Sequence, residues 1–278
     1  MSRCDLTVVV ATKNRPQALA GLLSSLQCQT LPRFKVLIAL NSKRSWHPYL
    51  DKVATSLFAR GVNVITSECT RMTFAELHQF LLASAETEYV CRVDDDHILE
   101  PHYLTELLQV IDSDRMVGAT GGIVLHPEDI GHGFSPKVFI KTLRSAKKQG
   151  VLNTILQLKQ HPTDRTLQVP DLYSSFVVRK SIAKRVGGIA TCYTSCSYRE
   201  ETDLTLRITL AGFKLYIIPS AIVWHVRANH GGERKSRSAW EKSRSLNEQI
   251  FRERLHSWCG DPVSRFSDIW DAALAASR

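Results

Sequence analysis

The chain lacks an apolar run long enough for a membrane-spanning helix or the hydrophobic core of a secretory leader. The first apolar run, Leu6 to Ala11, has only the length of a strand. This predicts a cytoplasmic protein with at most peripheral contact with an anionic surface. Paired cysteines are also missing. The seven cysteines are an odd number without paired spacing, and no second pair completes a zinc site with Cys192 and Cys196. A disulfide framework is therefore not expected, and the thiols suit a reducing compartment. No glycine-rich phosphate loop follows the first strand, which weighs against a sugar-nucleotide pyrophosphorylase. There is no internal repeat and no low-complexity segment.

What is present suits one large α/β domain with appendages, since 278 residues can bury a sizeable core. The formal charge is +9. Positions 137–165 hold seven Lys or Arg against one acid, and positions 227–254 hold eight against four. The rest of the chain is nearly neutral. Such patches suit an anionic partner: pyrophosphate, phospholipid or nucleic acid. A solvated surface is the plainer reading of any single lysine there.

The first hundred residues alternate strand and helix. Strands are predicted at Leu6–Ala11, Lys35–Leu40, Val62–Thr66 and Tyr89–Val93. Helical stripes run through Leu19, Leu22, Leu23 and Leu26, through Leu77, Phe80 and Leu81, and through Leu104, Leu107, Leu108 and Ile111. That alternation predicts a mostly parallel central sheet with helices on both faces. Ligands of such sheets bind at the carboxyl ends of the strands, where the polar clusters 12–15, 41–44 and 94–97 lie. Further on, Gly118–Leu125 reads as a strand pair or bend and Val151–Leu158 as weakly helical. Ser174–Val178 reads as a strand and Asp203–Ala211 as a helix closed by Gly212. Leu215–Ile218 and Ala221–Val226 read as two short strands about a Pro219 turn, and the tail is partly amphipathic around Ile250, Leu255 and Trp258.

Three features carry chemistry. Asp94, Asp95 and Asp96 are adjacent carboxylates at the end of an apolar strand, and a hard divalent cation would offset their repulsion. Mg²⁺ or Mn²⁺ suits such oxygen ligands. Glu200, Glu201 and Asp203 open a helix, where one acid complements the helix dipole and another is available as a general base. His225 ends a late apolar strand, as a structural residue or as a ligand completing a mixed oxygen and nitrogen metal site.

The order of these blocks resembles family 2 of the inverting GT-A glycosyltransferases. The resemblance covers roughly residues 5–230. It rests on ThrValValValAlaThrLysAsnArg at the start, on ValAspAspAspHis as a DXD-like element, and on the segment 178–188 ending in Gly187 and Gly188. It rests also on the carboxylate helix from Arg199 and on ValTrpHisVal near His225. It implies a GT-A domain over 1–230, with a nucleotide-binding half at 1–118 and an acceptor-side half at 119–230. A variable basic insertion would lie near 126–168, and a basic, partly helical tail would follow at 231–278. It further implies that Thr12, Asn14, Arg15, Asn41, Arg71, Asp94 and Asp95 bind a nucleotide-sugar, expected to be UDP-linked, and that Asp96 and His225 hold Mn²⁺ or Mg²⁺. Glu201, with Glu200 beside it, would be the base of a single displacement that inverts the anomeric centre.

Two departures stand out. Asn41 replaces the acid that usually reads the base, which loosens the uracil expectation, and Glu201 replaces the commoner Asp. Cations at 234–244 are expected to close over the pyrophosphate. The acceptor stays open among glycan, lipid-linked sugar, protein and nucleic acid. The rival reading is a nucleic-acid-binding protein, or a glycosyltransferase acting on nucleic acid, docked through the basic segments. Clustered carboxylates repel phosphate in the absence of metal, which disfavours the non-catalytic form of it.

Overall fold

Seven consecutive buried residues, Leu6 to Thr12, suit the inside of a sheet covered on both faces, and that strand (β1) lies in its interior, between β2 and β4. The computed structural model describes residues 6–126, 166–172, 174–228, 230–232 and 236–259. Within these, β1 is followed by α1 (Pro16–Gln27), β2 (Lys35–Leu40), α2 (Tyr49–Ala59), β3 (Asn63–Glu68), α3 (Phe74–Ser84) and β4 (Tyr89–Asp94). Next come β5 (His97–Leu99), α4 (Tyr103–Ser113), β6 (Val117–Leu125), β7 (Leu167–Val169) and β8 (Phe176–Arg179). The last elements are α5 (Lys180–Arg185), α6 (Glu200–Leu210), β9 (Lys214–His225) and α7 (Arg237–Cys259).

Local chemistry explains several boundaries. Pro16 sits in the first turn of α1, where its missing N–H costs nothing. Thr73 and Glu76 close a capping box at the start of α3. Strand order is β3-β2-β1-β4-β8-β6-β9-β5, with β7 also paired to β9. The pairs among β3, β2, β1 and β4 are parallel, as the alternation predicts. Antiparallel pairing enters with β8, which joins β4 to β6, and with β5 and β7 on β9. Two apolar clusters lie on the two faces. One gathers α1, α2 and α4, the other α3, α6 and α7.

Two expectations change. Gly118–Leu125 belongs to one strand, β6, rather than a strand pair or bend. Its glycines mark close packing: a Cβ on Gly122 would lie 2.1 Å from the Ala221 carbonyl oxygen and 2.6 Å from the Tyr103 ring. Pro219 likewise interrupts no strand, because β9 runs from Lys214 to His225. The register jumps from Gly121 opposite Ile217 to Ile123 opposite Ile222, so residues 218–221 bulge opposite Gly122. Pro219 sits in that bulge, where the ladder asks no N–H of it. Smaller differences are the third strand, at Asn63–Glu68, and the carboxylate helix, which begins at Glu200. The helical hint at Val151–Leu158, most of the insertion near 126–168, and Arg234 and Lys235 lie outside the described residues.

Residues 237–259 form one long helix against the core, not only an amphipathic patch. Phe251 and Leu255 are buried. The buried Asp203 of α6 is shared by Arg254 of α7 (2.6 Å), Arg207 (2.6 Å) and the Tyr193 hydroxyl (2.8 Å). None of the helices formed by the described residues is long and apolar enough to cross a membrane.

Gly122→Ala should destabilise the fold by about 1–3 kcal/mol through overpacking against β9. Urea unfolding of the variant beside wild type checks this, and an unchanged midpoint would contradict it.

A carboxylate-lined candidate active site

Parallel pairing puts Ala11 of β1 opposite Asp94 of β4, so the loops after both strands open on the same edge. The Thr12 hydroxyl donates to Asp95 Oδ2 (2.7 Å), and Arg15 Nη1 donates to Asp95 Oδ1 (3.0 Å) and Asp96 Oδ2 (3.2 Å). Both oxygens of Asp95 are thereby engaged. Burial still raises its pKa to about 6 against the pull of Arg15. Asp94 is also pushed up by burial, but Arg92, 3.1 Å away, and then His97 outweigh this and hold it well below the usual carboxylate range.

Antiparallel pairing of β5 with β9 puts His97 opposite His225. His225 Nε2 lies 3.4 Å from Asp96 Oδ1, and the Val226 N–H donates to the Asp96 carbonyl (2.9 Å). Burial would raise Asp96, but the His225 hydrogen bond together with the charges of His225 and His97 outweighs it, and the pKa is lowered. Ligand atoms of Asp96, His97 and His225 all lie within 4.8 Å of one another. The His97 ring sits between the hydroxyls of Ser175 (2.6 Å) and Ser174 (3.2 Å), and burial lowers its pKa to about 4, which keeps it neutral. Carboxylate oxygen with neutral imidazole is a donor set that fits Mn²⁺.

The facing wall is the start of α6. Arg199, just before it, adopts a left-handed conformation (φ 84°) and is buried. Its guanidinium donates to Glu248 of α7 at 2.8 Å and lies over the Tyr198 and Phe251 rings. Glu201 lines the cavity, whereas Glu200 is fully enclosed and has no hydrogen-bond partner among the described residues. Burial, and then the neighbouring Glu201, raise the Glu200 pKa well above the ordinary value. Asp171, equally enclosed and unpartnered among the described residues, is pushed up to about 7 by burial, with Arg199 opposing and Glu201 adding. Arg92 is the buried cation between these acids. Burial would lower its pKa, but Asp94, Glu201 and Glu200 outweigh that.

Of the residues expected from sequence, Thr12, Arg15, Asn41, Asp94, Asp95, Asp96, Glu201 and His225 line a single cavity of about 380 Å³. Glu200 is walled off behind Glu201. Asn14 and Arg71 are exposed and do not line it. Asn14 instead shapes the turn, with φ 55° and its N–H on the Ser45 hydroxyl (2.9 Å). Sequence reasoning missed His97, Ser174, Tyr198 and Trp240, whereas Arg244 falls in the stretch 234–244 whose cations were expected at the site. The available signal for Trp240 was an aromatic residue within a charged stretch.

Asn14, Ser174, Ser197 and Arg199 are the non-glycine residues with positive φ among those described, and all four border this cavity or its walls. Such conformations cost on the order of 1–3 kcal/mol each and persist where the surroundings enforce them. Gly231 and Gly232 close the same corner. A Cβ on Gly231 would meet the Asn14 carbonyl oxygen at 2.5 Å, and one on Gly232 the Arg15 guanidinium at 2.4 Å.

A parallel half-sheet with acids at the end of β4, continued by antiparallel strands that return a histidine to those acids, defines a GT-A-type fold. The chain belongs to glycosyl transferase family 2, whose family model matches residues 7–187. Solved structures share the fold. TarS of S. aureus is 14% identical with a TM-score of 0.62, over 95% of this chain and 42% of that one. The mannosyltransferase PcManGT of Pyrobaculum calidifontis, in complex with GDP-Man and Mn²⁺, is 16% identical with a TM-score of 0.62, over 99% and 75%. TarS 1-349 in complex with UDP-GlcNAc is 16% identical with a TM-score of 0.58, over 91% and 73%. The chain thus spans less than half the length of the longer TarS chain. No curated protein sequence matches it.

The raised Asp171 pKa has a stability consequence. Between the ordinary Asp value and about 7 the folded state holds a proton that the unfolded state has lost, so stability falls as pH rises through that window. Asp171→Asn removes this dependence. Its stability relative to wild type should improve from pH 4 to pH 8 by on the order of a few kcal/mol, read from urea unfolding at both pH values. A pH-independent difference would contradict the assignment.

Proposed function

We propose that this chain is a metal-dependent inverting glycosyltransferase. It moves a sugar from a nucleoside-diphosphate sugar to an acceptor hydroxyl in a single displacement, from the cytoplasmic side. The observation that carries this reading is the pairing within one cavity of a metal-competent corner, Asp96 with His225, and a carboxylate on the facing wall, Glu201. A divalent cation, Mn²⁺ or Mg²⁺, held by Asp96 and His225 would supply charge neutralisation for the departing diphosphate.

The protein's own groups divide the remaining work. Glu201 takes the proton from the attacking hydroxyl. Glu200, next to it, is fully enclosed, and burial pushes its pKa well above the ordinary value, whereas Glu201 faces the cavity. This supports Glu201 rather than Glu200 as the base. Thr12, Arg15, Asp94 and Asp95 form the floor on the nucleotide side, where the Arg15 guanidinium also meets Asp96. Asn41 ends β2 at the rim, with its amide donating to the Met72 carbonyl (3.2 Å). The places of Asn14 and Arg71 in nucleotide binding rest on the family resemblance. A UDP-linked donor is our first choice and a GDP-linked one the second, since solved relatives carry UDP-GlcNAc and GDP-Man. The acceptor could belong to any of the four classes named from sequence.

The test is nucleoside diphosphate release across a panel of nucleotide-sugars, with Mn²⁺ present or chelated. One donor should be turned over in a metal-dependent way, and Asp96→Ala should abolish this. Glu201→Gln should lower kcat by about 10²–10⁴-fold while donor affinity holds. Glu200→Gln should change it by less. Turnover undiminished in Asp96→Ala, or silence across the panel, would sink the proposal.

A further inference from the structure

The cavity does not end at the carboxylates. Tyr198 and Arg244 line it and also a second cavity, of about 590 Å³, that opens along α7. These two side chains therefore border both cavities, beside α7.

The two carboxylates that line the second cavity already have cationic partners: Glu248 holds Arg199 (2.8 Å) and Arg252 (3.2 Å), and Glu241 holds Arg237 (3.0 Å). Arg244 has neither a carboxylate partner nor a hydrogen bond among the described residues. It is not loose either. Its guanidinium carbon lies 4.7 Å from the Tyr198 ring centre and 5.4 Å from that of Trp240. Tyr198 is itself anchored by a hydroxyl bond to Glu248 (3.2 Å). Two aromatic faces therefore hold the guanidinium with its donors unspent, which reduces the ordering cost of binding an oxyanion. A planar guanidinium in this state suits a phosphate or a carboxylate, which it can grip with two parallel hydrogen bonds.

The diphosphate of a donor belongs with the metal-competent pair Asp96 and His225, whereas Arg244 packs on Tyr198, three residues before the proposed base Glu201. The group that meets Arg244 is therefore on the acceptor. We propose that the acceptor carries a negatively charged group, phosphate or carboxylate, beside its reactive hydroxyl, and that Arg244 selects for it from between Tyr198 and Trp240. The proposal rests on the reading of Glu201 as the base.

The experiment uses the full chain and the donor it turns over, with methyl glucoside, its 6-phosphate and methyl glucuronide as acceptor probes. Wild type, Arg244→Gln and Arg244→Lys are compared, and donor Kd is measured separately by calorimetry. Wild type should show a KM at least about tenfold lower for an anionic probe than for the neutral one. Arg244→Gln should erase that preference with kcat and donor Kd nearly unchanged, and Arg244→Lys should restore it in part. Preference for the 6-phosphate or the glucuronide tells which oxyanion Arg244 takes. Equal use of neutral and anionic probes, or no stimulation by either anionic probe, overturns the inference. So does a loss of donor affinity in Arg244→Gln, which would assign the residue to the donor. Absence of donor binding in wild type would overturn the reading of the site as well, whereas intact donor binding without acceptor preference overturns this inference alone.

Discussion

Repulsion among enclosed carboxylates is the constraint around which this molecule is arranged. Asp94, Asp95, Asp96, Asp171, Glu200 and Glu201 are gathered at one end of the sheet, five of them at most 7% exposed. Without compensation such a cluster would not stay folded, because desolvation and like charge act together. The chain answers in three ways. Arg92 and Arg15 are brought among the acids as buried or half-buried cations. Burial pushes the pKa of Glu200 and of Asp171 upward, which favours their uncharged forms. Asp96 is turned toward histidines in a corner that suits a metal. Each answer fixes a piece of geometry, so electrostatic balance and site architecture are the same problem here.

The surrounding backbone shows how tightly that geometry is held. Four side-chain-bearing residues accept left-handed conformations around the cavity, and two glycines permit an approach to Asn14 and Arg15 that a methyl group would block. These local costs are offset by ordinary packing elsewhere: two apolar clusters, on opposite faces of the sheet, anchor every helix that reaches the site. Helix α7 joins this arrangement through Asp203 and Glu248, each shared between two arginines.

Much of this was legible in the sequence, for identifiable reasons. Strands β1, β2 and β4 are short apolar runs flanked by polar turns, and α1, α3 and α4 carry regular stripes, so local pattern alone revealed them. The acids at 94–96 and 200–201 stood out because charge at the end of an apolar run is costly. What stayed hidden depends on distant partners. Pro219 suggested a turn because nothing local announces that Gly122, almost a hundred residues earlier, accommodates a bulge there. His97 read as one more polar residue after the acids, because only its pairing with His225 brings it to the corner. Helix α7 looked like a charged tail since its arginines find their acids on α6 and its own neighbouring turns, not in a simple amphipathic stripe.

The position of α7 in the chain has a consequence for biosynthesis. Every strand of the sheet precedes it, so a growing polypeptide can assemble the acidic floor before the helix that supplies Trp240 and Arg244 has been made. Until then Arg199 lacks Glu248, and the loop from Thr194 to Tyr198 lacks Asn247, whose side chain makes five hydrogen bonds to it. Among the described residues the sheet is thus complete in the chain before the helix that forms one wall of its cleft.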